Sequence, residues 1–226
     1  VANDYLRHLE RFAESRKLSV RTGIDVVSVR RDGQYWLATD SLGGAWRASQ
    51  LVAATGYFSA PAMPGPSFKS DGSIPLTHAN EVDDYDSPAD RLRDQRVLIV
   101  GKRVTAGQTM VELAARGVSV LLSASSPLAF HRSGPVAHLV DQLYFVYEAL
   151  RIRIQPRLRS DSYPPMEGGA ARRLIESGQV RHVARLSAIA NGFALLQDGG
   201  RVEVDHVILA TGYKPALPYL DQASLP

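Results

Sequence analysis

The segment that most constrains this chain is a strand–turn–helix–strand run near its middle. Arg96–Val100 reads RVLIV, an unbroken apolar strand of the kind buried on both faces of a parallel sheet. The chain turns from Gly101 to Ala106, then Gly107–Arg116 carries helical periodicity through Val111, Leu113 and Ala114. Gly117 is a natural helix stop, and Val118–Leu122 (VSVLL) is the next buried strand. Two parallel strands joined by a helix form a βαβ unit, so an α/β fold with a parallel sheet is expected.

The turn inside this unit decides what it can hold. A dinucleotide fingerprint needs glycine first for a tight turn and second for close approach of the pyrophosphate, with a small third residue for helix packing. Here Gly101 stands first, Arg103 second and Ala106 third, with Thr105 inside the same turn. Alanine is tolerated at the third position; arginine at the second is a departure with two possible consequences. Its side chain either fills the space of the pyrophosphate or folds over to bind a phosphate by a charge-assisted hydrogen bond. The acid that accepts a ribose 2′-hydroxyl is expected about 20 residues on. The second strand ends instead in Ser123–Ala124–Ser125–Ser126, with Arg132 close behind. Serine hydroxyls with a nearby arginine suit a 2′-phosphate, so NADP is favoured, with NAD still possible.

On either side the pattern is mixed. Residues 4–17 read as an amphipathic helix with Tyr5, Leu6, Leu9, Phe12 and Ala13 on one face. Strands are expected at Leu18–Val20, Ile24–Arg30 and Gln34–Thr39, with a hairpin at Asp32–Gly33 and Ala45–Arg47 pairing back. Leu51–Ala54 is a short apolar run. Residues 59–75, rich in Pro, Gly and Ser, and the charged stretch 81–95 read as a connection between domains. Helices are expected at 135–150 and Ala170–Ser177, then strands at Val180–Ile189, Phe193–Gln197, Arg201–Val204 and Val207–Ala210.

One internal echo stands out. LVAATGYFSAP begins at Leu51 and VILATGYKPALP at Val207, and each apolar run ends in Thr-Gly: Thr55–Gly56 and Thr211–Gly212. These two segments flank the βαβ unit. In that order and spacing the chain resembles flavin-containing monooxygenases and their Baeyer–Villiger and thioredoxin-reductase-like relatives, over about residues 5–220. The resemblance implies a flavoprotein with two dinucleotide-binding domains, whose ATG segments mark crossings between the FAD and NAD(P) domains. It assigns residues 1–63 to a partial FAD domain with a β-meander, 64–95 to a crossing, 96–212 to a Rossmann-like NAD(P) domain and 213–226 to the return. The FAD domain's phosphate cradle and final strand are expected outside this sequence, as in a fragment. Phe68, Gly72 and His78 follow the order of the family's Phe-x-Gly-x-x-x-His stretch with longer gaps, and imply a role for His78 near the cofactor rather than as a general base. The chemistry implied is reduction of FAD by NAD(P)H, then oxygenation of a small organic substrate with dioxygen. A non-catalytic dinucleotide-binding module and an NAD(P)H:acceptor flavin oxidoreductase are the alternatives.

Other classes lack support. The composition, 45% hydrophobic and 22% charged, is that of an ordinary globular domain, and no run approaches the length of a membrane span. The N-terminal charges Asp4, Arg7, His8, Glu10 and Arg11 do not read as a signal, so a cytoplasmic location is the default expectation. Arg151, Arg153, Arg157 and Arg159 have no interleaved aromatics and read as a solvated face, not a nucleic-acid site. No cysteine is present, which removes disulfides, thiolate metal sites and a redox dithiol from this sequence. His138 with Asp141 does not make a metal site, and Ser133, His131 and Asp141 lack a nucleophile-elbow context. No catalytic side chain is singled out, and nothing sets an oligomeric state.

Overall fold

A computed structural model describes residues 2–56, 58–82, 92–125, 127–131, 143, 146–147, 150, 153, 165–214, 216–221 and 223. Arg132, most of the 135–150 helix and most of the arginine cluster lie outside the described residues, as do Ser133, His138 and Asp141. The chain divides into two compact units, one of Val1–Gly56 with Pro215–Pro226, the other of Tyr57–Lys214.

The first unit holds a helix, α1 (Ala2–Ser15), and a meander of β1 (Val26–Asp32), β2 (Tyr35–Asp40) and β3 (Ala45–Ala48). Asp32 pairs with Tyr35, so Gly33 and Gln34 form a two-residue loop, and Gly33 sits at φ 62° as a primed hairpin turn requires. At the β2–β3 turn the buried Asp40 carboxylate accepts the N–H groups of Leu42 and Gly44, at 2.9 and 2.7 Å. Arg31 stacks on Trp36 and Arg47 on Tyr35, at 4.0 and 4.2 Å from the ring centroids. The expected strand at Leu18–Val20 is irregular backbone, and both side chains are exposed, because no described strand lies alongside to form a ladder. Leu51–Ala54 forms no strand either, and Val52 is 86% exposed. The apolar face of α1 forms at its expected spacing yet stays open, with Tyr5, Leu6, Leu9 and Phe12 all exposed.

The second unit is a three-layer arrangement. Its centre is a parallel sheet of β5 (Leu76–His78), β6 (Arg96–Val100), β7 (Ser119–Ser123), β8 (Arg181–Val183) and β12 (His206–Leu209), in the order β5-β12-β6-β7-β8. Helices α2 (Val104–Ala115) and α3 (Ala170–Glu176) belong to the same unit. A four-stranded sheet, in the order β11-β10-β9-β4, is made of β4 (Lys69–Ser70), β9 (Leu186–Ala190), β10 (Phe193–Leu196) and β11 (Arg201–Glu203). Alternation along each parallel strand sends successive side chains into opposite cores. Val97, Ile99, Val120, Leu122 and Ile208 pack with Met110 and Leu113 of α2. Leu98, Leu121, Val207 and Leu209 pack with Ile189, Ala194 and Val202 of the other sheet. Gly117, at φ 79°, ends α2 by letting its own N–H reach Ala114 and that of Val118 reach Leu113. Asn191 and Gly192, at φ 54° and 76°, make the two-residue turn between β9 and β10.

Two expectations change here. The single strand expected at Val180–Ile189 is two strands in different sheets, because the backbone at Ala184–Arg185 leaves one layer for the other. The stretch 64–95, expected as a plain crossing, contributes β4 beside β9 and β5 beside β12. Strands of two and three residues next to proline and glycine carry no periodicity to read.

Leu98 is fully buried at the centre of the parallel sheet. Leu98→Ala is expected to lower unfolding free energy by about 2–5 kcal/mol, while Val52→Thr stays within about 0.5 kcal/mol. Urea denaturation of the two variants checks this, and equal losses would contradict the layer assignment.

Candidate functional site

The strand register levels one edge of the parallel sheet. Val100 of β6 pairs with Leu209 of β12 and Ser123 of β7, and Leu209 pairs with His78 of β5. These are the carboxyl ends of four parallel strands. From β6 the chain passes through α2 to β7 on one side, while β12 lies on the other. Open α/β sheets take ligands outside their carboxyl ends, where connections diverge in this way.

The turn after β6 opens onto that edge. A Cβ at Gly101 would collide with the Ala210 carbonyl oxygen beyond β12, and would lie 3.1 Å from the Ala106 Cβ. The first and third fingerprint positions therefore pack on one another and on the end of β12. Ala106 is fully buried, while Thr105 is half-buried in the first turn of α2. Arg103 is the N-cap of α2, extended at φ −124° and ψ −166°, and its side chain does not cap the helix. Its carbonyl accepts the N–H of Gly107 at 3.1 Å. The first N–H groups of a helix have no intrahelical acceptor, and an anion at this end is favoured by the helix dipole.

A short strap that the sequence did not reveal runs beside this turn. Pro165 makes an antiparallel bridge with Arg103. Met166 is fully buried, and a Cβ on Gly107 would lie 2.6 Å from its Cγ. The N–H of Met166 donates to Ala129 at 3.0 Å, and its carbonyl accepts from His131 at 2.7 Å. Gly168 has no room for a side chain, since a Cβ there would meet the His131 carbonyl. Three glycines at close approaches, Gly101, Gly107 and Gly168, thus shape the region, and only the first lies in a recognisable motif.

Ser123 requires a correction. It is fully buried, and its hydroxyl donates to the Ala184 carbonyl at 3.0 Å while accepting the N–H of Leu186 at 2.8 Å. Those two bonds steady the backbone where it passes from β8 to β9, so Ser123 is not exposed to hold a 2′-phosphate. The neighbouring Ser125 is exposed instead. Arg132, its expected companion, lies outside the described residues.

His78 is also not the loop residue that its sequence setting suggests. It is fully buried at the end of β5. Nε2 lies 3.1 Å from the Gly212 carbonyl, and Nδ1 accepts the Asn80 N–H at 3.3 Å. Nδ1 also lies 2.8 Å from the Asn80 side-chain oxygen. The His78 ring meets Tyr213 edge-on at 5.1 Å, and Tyr213 meets Phe58 at 4.8 Å. Around this clamp Thr211 Oγ1 donates to Ala62 at 2.6 Å, Ala62 N–H donates to Gly212 at 2.9 Å, and Lys214 N–H to Ala60 at 2.8 Å. Gly212 takes φ 83° to make the reversal. His78 therefore positions the second Thr-Gly segment without reaching solvent itself. In the first unit, Thr55 and Gly56 are exposed, with Thr55 Oγ1 3.1 Å from the Tyr219 hydroxyl and Gly56 at φ 68°.

The amino end of β12 carries a different histidine. His206 is partly buried beside the Thr77 hydroxyl, 2.9 Å from Nε2, and desolvation holds its pKa below the ordinary histidine value. Arg96, at the same edge, donates to both Glu203 and Asp205. The Arg96 hydrogen bonds pull the Asp205 pKa down to about 2. Among the described residues there is no group of three His, Asp or Glu placed to hold a metal, and no helix long and apolar enough to cross a membrane.

A profile of the family described as pyridine nucleotide-disulphide oxidoreductase matches residues 1–225. An uncharacterized CzcO-like oxidoreductase of Geobacillus kaustophilus is 24% identical over 212 residues, which take in 91% of this chain and 58% of that protein. A flavin-containing monooxygenase from Stenotrophomonas maltophilia superposes with a TM-score of 0.71 at 20% identity, over 97% of this chain and 59% of its own. The bacillithiol disulfide reductase of Staphylococcus aureus does so with a TM-score of 0.60 at 16% identity, over 96% and 57%. The structural likenesses show the fold, a mixed α/β architecture with a parallel sheet. The chain spans 58% of the length of the Geobacillus protein, under two thirds.

Two outcomes are expected from this geometry. Ser123→Ala leaves the buried Leu186 N–H and the part-buried Ala184 carbonyl without their partner and should cost about 1–3 kcal/mol in urea denaturation; an unchanged midpoint would place the hydroxyl outside the core. Because His206 has a lowered pKa in the folded state, the unfolded chain binds the extra proton first. Stability should therefore fall as the pH drops below about 6.5. His206→Gln should flatten that part of the profile, and a profile equally steep in the variant would assign the effect to another group.

Proposed function

Because the chain belongs to the pyridine nucleotide-disulphide oxidoreductase family, we propose that it carries the NAD(P)-binding domain, with part of the flavin domain, of an NAD(P)H- and FAD-dependent oxidoreductase of the monooxygenase type. One observation carries the reading: Gly101 turns tightly against Ala210 at the carboxyl edge of the parallel sheet and leads straight into the N-terminus of α2. That arrangement suits a dinucleotide pyrophosphate, since the first-turn N–H groups lack a side-chain cap.

When bound, NAD(P)H supplies hydride and FAD supplies the electron and oxygen chemistry. The chain's own residues bind and orient. Gly101 and Ala106 keep the β6–α2 turn tight, and Thr105 offers a hydroxyl at the first turn. His78 fixes Thr211 and Gly212, which are assigned a cofactor-side role, as are Thr55 and Gly56 in the other unit. NADP is favoured over NAD because no carboxylate follows β7 in the stretch Ser123–Ser126. The lack of cysteine leaves this sequence without a dithiol for relaying electrons, which favours oxygenation over disulfide reduction. The substrate class is a small organic molecule bearing a soft nucleophile or a ketone.

Thermal unfolding with NADPH, NADH or FAD tests the reading. A nucleotide at about 100 times its dissociation constant contributes about 2.7 kcal/mol, a rise of roughly 5–10 °C for a chain of this size. NADPH is expected to raise the midpoint more than NADH. The absence of a shift with both nucleotides would sink the proposal.

A further inference from the structure

The second position of the β6–α2 turn is where this chain departs from the dinucleotide fingerprint, with Arg103 in place of glycine. Glycine serves such a position either by adopting a backbone angle closed to other residues or by leaving room for a phosphate against the main chain. The first need is absent, because Arg103 is extended at φ −124° and ψ −166°. For the second, the room is reduced on one side, because the main chain of Arg103 is bridged to Pro165.

That bridge is held firmly in place. Pro165 leads directly into Met166, which is buried over Gly107 and hydrogen-bonded on both sides of its peptide to Ala129 and His131. With the strap seated, close approach of a phosphate to this stretch of main chain is limited on that side. The polar groups exposed at this turn are the side chains of Lys102 and Arg103, together with the first turn of α2, which has no side-chain cap. Lysine offers a point charge. Arginine offers a planar fork that matches two phosphate oxygens at once.

We propose that Arg103 binds the dinucleotide pyrophosphate through its guanidinium, replacing the close backbone contact that glycine provides elsewhere, while the Pro165–Met166 strap sets the distance. This rests on the nucleotide reading above and specifies how the turn holds its ligand. Arg103 thereby becomes an affinity determinant of the site, and the glycine usual at this position is a loss here.

Calorimetric titration of the full chain with NADPH, and separately with inorganic pyrophosphate, tests it. Arg103→Gly should weaken NADPH binding roughly ten- to a hundred-fold, the effect of removing a charge-assisted hydrogen bond from a phosphate. The same variant should lose measurable pyrophosphate binding and show a shallower dependence on salt. Arg103→Lys should fall between the two. Arg181→Gln, the same charge change at the opposite edge of the sheet, should match the wild type. If Arg103→Gly binds NADPH as tightly as the wild type or more tightly, the proposal is overturned and the nucleotide reading stands. If neither wild type nor variants bind NADPH or NADH, the nucleotide reading falls and takes the proposal with it.

Discussion

The second unit depends on one constraint: its parallel sheet has to be dry on both faces. Parallel strands joined by crossovers are covered on each side, and here the two covers are unlike. Val97, Ile99 and Ile208 face α2, while Leu98, Val207 and Leu209 face the four-stranded sheet. A polar residue at any of these positions would have to find a partner inside a closed layer. The central strands are consequently apolar at their middle positions, with Arg96, Ser119, Ser123 and His206 confined to their ends, and their shared register brings their carboxyl ends to one line.

That line is where the nucleotide site is proposed. Where the strands stop, glycines at Gly101 and Gly212 allow the backbone to turn at once instead of running on. Gly101 does so by pressing against Ala210, which ties the start of α2 to the end of β12. His78 does the matching work on the other side, where a buried ring joins β5 to the Thr-Gly reversal through one carbonyl. Neither residue needs to touch a ligand to matter. Each fixes the main chain of a segment at the carboxyl edge, where the nucleotide is proposed to bind.

The charged groups divide between the two ends of the sheet. At the amino edge Arg96 is held by Glu203 and Asp205, an exposed network of modest energetic worth that pins the first residue of β6. At the carboxyl edge Lys102 and Arg103 stand exposed beside the positive end of α2. The two exposed basic side chains at that edge add to the helix dipole, the electrostatic basis of the anionic ligand proposed for that side.

The sequence by itself determined the βαβ unit, its glycine turn, the helix stop at Gly117 and the hairpin at Gly33. Each follows from local rules: apolar runs, helical spacing, and positive φ at residues that tolerate it. The two Thr-Gly echoes carried the family likeness for the same reason, being short and continuous. Only the tertiary structure decided the rest. Ser123 looked like a ligand contact because it follows a strand, but its hydroxyl is taken by Ala184 and Leu186, some sixty positions on. His78 looked like a loop residue because its partners are Asn80 and the distant Gly212. The strands β4 and β5 are too short for periodicity and exist because β9 and β12 lie beside them. The Pro165–Met166 strap has no motif at all, since its form is set by a vacancy over Gly107 that only packing creates. What a residue does along the chain was legible; what it meets across the fold was not, because side-chain burial is decided by neighbours far away in sequence.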